Sequence, residues 1–212
     1  IDSVLLYVGF EKGKHFTVLD RDSLIYIEKK IPSFELDFNA IAQGYSVDLL
    51  IEFLKFHGHS NVYVELGGEI KLSGFKVGKQ KWNIGIESPV ENNKTDLQTI
   101  QNVFSITDCA VATSGNYRKY FEDNGQLYAH TINPKTGAQN RHALLSATVL
   151  SSSCALSDAL ATFFMVVGVD AAKSFIDRNK ELGIEVYLIY SEDGQYGSYC
   201  SPSLLKSQKP IN

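Results

Sequence analysis

Between Asn61 and Thr107 the chain carries strand-like runs at Asn61 to Glu65, Glu69 to Leu72, Trp82 to Glu87 and Asn102 to Thr107, with no helix-period segment among them. Strands that follow one another directly pair through short turns, and such pairs are antiparallel, which argues against a doubly wound parallel sheet. The same grouping recurs elsewhere. Thr17 to Leu19 and Leu24 to Glu28 flank the turn Asp20-Arg21-Asp22-Ser23, and Gln126 to Ile132 and Leu145 to Ser151 read as further strands. Ile184, Val186, Leu188 and Tyr190 alternate ahead of Asp193-Gly194, a type I′ hairpin signal. The fold class these runs predict is α+β, mixed or antiparallel sheets packed with helices in one domain.

Helical signals fill the gaps. Val47, Leu50, Ile51 and Leu54 recur at i, i+3, i+4 and i+7, and the pattern stops at Gly58, so one face of this helix is expected to point inward. Ser153 is expected to cap a second helix running to Gly168, and Asp170 a third ending near Asn179. Gly67-Gly68 permits a tight hairpin or a close approach of backbone to ligand.

Composition narrows the class. With 212 residues, 44% of them hydrophobic, the chain can bury a core without disulfides or a structural metal. Cys109, Cys154 and Cys200 lack CxxC spacing and read as buried thiols. A net charge of -4 with both signs interspersed disfavours nucleic-acid binding. The apolar run Ala159 to Val169, broken by Thr162 and Gly168, falls short of the roughly 20 residues of a membrane span. Residues 1–200 read as one domain and 201–212 as a polar tail, and Ile1 in place of Met reads as a processed or trimmed start.

Some polar clusters can carry chemistry. Asp158 and Thr162 are four residues apart on the expected second helix, so their oxygens project from one face. Either they hold a hard cation such as magnesium, which takes a carboxylate and neutral oxygens, or Asp158 is a buried carboxylate bonded to backbone or to Thr162. Asp37 to Gly44 forms a small-residue turn into the first helix, offering N–H groups to a phosphate or simply a capped helix entry, without the spacing of a P-loop or a dinucleotide fingerprint. His130, beside Asn133-Pro134, suits a general base, a phosphate contact or a structural histidine. Ser114 lacks a nucleophile-elbow context, so a hydrolase triad is not supported.

Taken in order, LDFNAIAQGYSVD (Leu36 to Asp48), VELGGEI (Val64 to Ile70), WNIGIESP (Trp82 to Pro89), ATSGNY (Ala112 to Tyr117), HTINPKTG (His130 to Gly137) and DALAT (Asp158 to Thr162) closely resemble the ApbE family of FAD:protein FMN transferases. The resemblance spans about Ile1 to Tyr199. It implies an ApbE-like, T-fold-like domain and a Mg2+-dependent reaction in which FAD is the substrate, AMP leaves, and FMN is joined to a threonine of an acceptor flavoprotein. Some relatives instead hydrolyse FAD to FMN and AMP, and a non-catalytic flavin-binding module is a further alternative.

Carried over by position, the metal ligands are the carbonyl of Ala40 with the side chains of Asp158 and Thr162. Asp37, Gln43, His130 and Ile132 fall in the FAD site. His130 is the first candidate base and Asp37 the second, and Asp158 acts through the cation. Gln43 stands where Lys is commoner in the family, and Asn39 where Gly is. The family's N-terminal segment is expected to be missing, and the apolar face of Leu5, Leu6 and Val8 to pack against it or against a second copy as a homodimer. No Asp-Gly-like pair is followed closely by Thr, so the acceptor is expected to be another protein, commonly a subunit of a membrane redox complex. The resemblance also implies a place in the cell envelope, on the periplasmic side, as a lipoprotein in the full-length form.

Overall fold

In the computed structural model, residues 5, 8–9, 14–88, 100–115, 120–123, 126–129, 132–138, 143–192 and 195–211 are described. Three layers stack in sequence: helices, a large sheet and a small sheet. The chain is an α+β domain, as expected, and every strand pair within it is antiparallel.

The first hairpin, β1 (Phe16–Arg21) and β2 (Leu24–Lys29), stands apart from the large sheet. It turns through Asp22 and Ser23, both at positive φ. The large sheet has the order β12-β11-β10-β7-β4-β3, built from β3 (Val62–Leu66), β4 (Glu69–Ser73), β7 (Ala110–Gly115), β10 (Leu144–Ser151), β11 (Glu185–Glu192) and β12 (Gln195–Cys200). The small sheet pairs β5 (Trp82–Glu87) with β6 (Ile100–Ile106) and β13 (Gln208–Lys209). β8 (Tyr120–Asp123) and β9 (Gln126–Ala129) form a separate pair.

Both faces of the large sheet are covered. Ile70, Leu72, Val111, Leu150 and Ile189 meet Ile84, Ile86, Phe104 and Ile106 of the small sheet. On the other face, α2 (Cys154–Val167) sets Leu160, Ala161, Phe164 and Met165 on Ala147, Val149, Val186 and Leu188. α1 (Ala42–Phe56) sets Val47 and Ile51 on Val62, Val64 and Ala110. Side chains on both faces of β11 are therefore buried, Tyr187 and Ile189 on one and Val186 and Leu188 on the other. Each such Val, Leu, Ile or Phe contributes about 1.5–3 kcal/mol of hydrophobic free energy.

Several expectations change. Leu50 was expected on the inward face of α1, but it is 45% exposed, and the buried positions are Gly44, Val47 and Ile51. Ser153 caps α2, its hydroxyl accepting the Leu156 N–H at 3.3 Å. Asp170 does not cap α3 (Val169–Arg178): Gly168 is the N-cap, and Asp170 sits in the first turn, where its charge favours the dipole. β7 lies between β4 and β10, in a stretch read as a polar cluster. The segment expected as a polar tail is built into the fold. There α4 (Pro202–Leu205) buries Leu204 in the core between the sheets, and β13 pairs with β6. The Asp193-Gly194 turn and Leu6 lie outside the described residues; the flanking pair Glu192 and Gln195 is in hairpin register, and Val8 is exposed. All three cysteines are free thiols, Cys154 buried and the others partly so. Burial pushes Cys154 up to about 12 and Cys109 and Cys200 to about 11, so they are unreactive near neutrality.

Candidate functional site

The first turn of a helix leaves N–H groups that the helix itself does not satisfy. The Phe38 carbonyl accepts the N–H of Ile41 and of Ala42, and the Ile41 carbonyl accepts that of Tyr45. Ile41, the N-cap, has no side chain able to accept. Gly44, the third helical residue, instead donates its N–H to Asp158 Oδ2 on α2 at 3.1 Å. Asp158 thus caps α1 from across the helix interface. One consequence is that the Ala40 carbonyl, four residues before Gly44, accepts no hydrogen bond among the described residues.

The reverse arrangement holds at the start of α2. Asp48 of α1 accepts the Ser153 hydroxyl at 2.8 Å, the N–H groups of Cys154 and Ala155 at 3.0 Å each, and the Lys71 ammonium of β4 at 2.6 Å. Burial alone would raise the Asp48 carboxyl, but these donors outweigh it and hold the group below its ordinary value. Each helix therefore lends a carboxylate to the other's N-terminus. The close approach is allowed by Gly44, where a Cβ would lie 2.4 Å from the Cys154 carbonyl oxygen.

Asp158 is 5% exposed, and burial raises its carboxyl above the ordinary value, partly offset by the Gly44 N–H. Thr162 follows one helical turn later, its hydroxyl 3.3 Å from Ser114 Oγ at the end of β7. Alternation along β7 turns Thr113 and Gly115 to the opposite face. There they line a cleft of about 390 Å³ with Gly67 and Gly68 of the β3–β4 turn and Gly85 and Glu87 of β5. Gln43 reaches the turn that borders the cleft. Its amide lies over Gly67, where a Cβ would be 2.1 Å from Nε2. Thr162 and the cleft thus lie on opposite faces of β7. A larger concavity, about 740 Å³, lies among Lys81, Lys206 and Lys209 at the small sheet and holds none of the expected site residues.

The expected residues are placed unevenly. Asp158 lies at the α1–α2 contact through the Gly44 N–H, Thr162 lies one turn on against Ser114 of β7, Gln43 lies over Gly67, and Ala40 precedes α1. Asp37 is exposed and closes a turn by accepting the Asn39 N–H at 2.8 Å. Ile132 is 55% exposed ahead of a turn in which Asn133 Oδ1 accepts the Lys135 N–H and the Asn133 carbonyl accepts the Gly137 N–H. No hydrogen bond or ion pair among the described residues joins Asp37 or Ile132 to Asp158. His130 lies outside the described residues.

Asp48 and Gly44 were not singled out in the sequence. Asp48 falls next to Val47 on the same side of the helix as Gly44 and Ile51, and a carboxylate beside a buried face requires a partner. That signal was available, but the partner was not.

A divalent cation fits the donors present. A buried carboxylate that accepts one N–H among the described residues, a hydroxyl one turn away and a carbonyl that accepts no hydrogen bond among them are hard oxygen ligands. One carboxylate is sufficient for magnesium when phosphates complete its shell.

Comparisons with known proteins point to one family. The model of the ApbE family matches residues 1–188. A FAD:protein FMN transferase of Vibrio cholerae is 37% identical over 177 residues, covering 84% of this chain and 51% of the relative. One of Escherichia coli is 30% identical over 212 residues, covering 99% of this chain and 58% of the relative. The solved structure of the flavin transferase ApbE from Vibrio cholerae superposes with a TM-score of 0.78 at 32% identity, over 97% of this chain and 61% of that one. The chain thus spans between half and two thirds of the length of these proteins.

Proposed function

The chain belongs to the ApbE family, and we propose that it is a magnesium-dependent transferase that moves FMN from FAD to a threonine of an acceptor flavoprotein. In this reaction the P–O bond between the FMN phosphorus and the AMP leaving group breaks. A bond from the threonine oxygen to that phosphorus forms, and the threonine proton passes to a base. The observation that carries the reading is the buried Asp158 seated against Gly44, with the Ala40 carbonyl left unclaimed and Thr162 one turn on.

A cation held by Asp158, Thr162 and the Ala40 carbonyl would neutralise charge on the pyrophosphate oxygens, which is most of what phosphoryl transfer asks of a protein. The remaining tasks fall to the chain itself. Gly68 leaves its backbone open toward the cleft, with no atom within 4 Å of an added Cβ, while the side chains of Gln43 and Ile100 cover Gly67 and Gly85. Asp37 and Ile132, both exposed on turns, are assigned to FAD contact. His130 is assigned as the base that takes the threonine proton, with Asp37 second.

AMP release from FAD with magnesium, with and without an acceptor flavoprotein domain, tests the reading, with Asp158→Ala as control. Release that needs both acceptor and Asp158 supports the transferase. Acceptor-independent release identifies a FAD pyrophosphatase instead, and FAD binding without release leaves a non-catalytic module. His130→Ala should slow transfer and alter its pH profile while FAD still binds; an unchanged profile removes the histidine from its role. We further propose an envelope location for the full-length protein, on the periplasmic side as a lipoprotein, with a membrane redox subunit as acceptor. Recovery of the full-length protein in the cytoplasmic fraction would overturn that location.

A further inference from the structure

We propose that Asp48 is a positioning residue for the cation site: by tying the first turn of α2 to α1 and β4, it sets where Asp158 meets Gly44 and so keeps the Ala40 carbonyl unclaimed. This rests on the cation reading above. Both Asp48 oxygens are fully used, Oδ1 by Lys71 and Cys154 and Oδ2 by Ser153 and Ala155, which leaves the group no capacity to bind a cation or move a proton itself. Its influence must be exerted through α2. Asp158 sits one turn beyond Cys154, so a displacement of the anchored turn carries Asp158 with it.

The clearance there is small. A single added carbon at Gly44 would already overlap the Cys154 carbonyl group and Ala155 Cα. A local cap is also present without Asp48, because Ser153 accepts the Leu156 N–H. What Asp48 adds is a fixed relation between the two helix starts. Asp48→Asn keeps the size of the side chain but replaces one acceptor oxygen with a donor, so it must face either the Ser153–Ala155 pair or the Lys71–Cys154 pair with the wrong polarity.

The test is binding of Mn²⁺ alone to the chain, followed by loss of the free-ion paramagnetic resonance signal, for the unsubstituted protein, Asp48→Asn and Phe104→Leu. Phe104 lies in the core between the sheets, so its variant loses stability away from the site. Asp48→Asn is expected to weaken Mn²⁺ about 10- to 100-fold at a temperature where it is folded, the range found when groups supporting metal ligands are removed. Phe104→Leu is expected to leave the affinity unchanged. Equal affinity in Asp48→Asn, with only its thermal midpoint lowered, overturns the positioning role and leaves the cation reading standing. No uptake by the unsubstituted protein overturns both. Should Asp48→Asn not fold, Ser153→Ala decides: it removes one donor to Asp48, and a Mn²⁺ affinity equal to that of the unsubstituted chain refutes the proposal.

Discussion

Gly44→Ala is the most demanding test of the helix pairing, because the general expectation and the structural one have opposite signs. In a helix interior, alanine is favoured over glycine by about 1 kcal/mol. At Gly44, however, the new Cβ would lie 2.4 Å from the Cys154 oxygen, 2.6 Å from its carbonyl carbon and 2.9 Å from Ala155 Cα. All of these are backbone atoms, and Asp48 anchors the same turn, so the overlap is relieved by parting the helices rather than by rotating a side chain. Overpacking of this kind costs about 1–3 kcal/mol. Parting the helices also weakens the Gly44 N–H bond to the Asp158 carboxylate, a charged hydrogen bond contributing about 1.5–3 kcal/mol. After the alanine preference is subtracted, a net loss of about 2–4 kcal/mol remains, and in a chain of this size each kcal/mol lowers the thermal midpoint by about 2–4 °C. Circular dichroism on heating should therefore show a fall of roughly 5–15 °C for Gly44→Ala. A midpoint equal to or above that of the unsubstituted chain would refute the close-approach argument.

Asp48 should also shape the acid limb of stability. Its folded carboxyl is held below the ordinary 3.8, so its contribution is present above that value and is lost as pH falls through the lowered one. Urea midpoints of Asp48→Asn should accordingly depend less steeply on pH below about 4, and parallel acid limbs would contradict this. Asp158 has the opposite sign: its raised carboxyl opposes folding above the folded value, and the penalty fades as pH falls through it. Asp158→Asn still accepts the Gly44 N–H, so without divalent cation it should melt higher than the unsubstituted chain while releasing no AMP from FAD; a lower midpoint would count against the burial argument. Leu204→Ala, at a side chain 3% exposed between the sheets, should cost about 2–5 kcal/mol, and an unchanged urea midpoint would mean that residues after Ser201 add nothing to the core.

What the sequence reveals depends on how local the cause is. Hairpins fixed by turn chemistry, such as Leu66 to Glu69 across Gly67-Gly68, fall where the residues place them. β7 escapes because Ala110, Ala112 and Ser114, on its helix-facing side, have no strong strand preference. They are small because α1 and α2 pack directly on them, a requirement set by elements distant in the chain. Leu50 has the helical period yet stays exposed, since period identifies a stripe but not its edges. Within the site, Asp158 and Thr162 are legible because i and i+4 share a helix face. Gly44 and Asp48 are not, because the partner of Gly44 lies 114 residues away and the α2 partners of Asp48 more than 100.

In the proposed function the two readings of Asp158, as a bonded structural carboxylate and as a cation ligand, are compatible. Oδ2 accepts the Gly44 N–H, and Oδ1 accepts no hydrogen bond among the described residues. The N-terminus of α1 carries a positive partial charge, which by itself repels a cation and attracts phosphate. The Asp158 carboxylate beside it does the reverse. A place that pairs these two fields suits a cation already bridged to phosphate better than either alone. Cation and FAD should therefore bind cooperatively, and by linkage each must tighten the other by the same factor. Mn²⁺ titrations with and without FAD, and FAD titrations with and without Mn²⁺, measure both sides of that cycle. Equal Mn²⁺ affinity in the presence and absence of FAD would mean that the helix end and the carboxylate act on separate ligands.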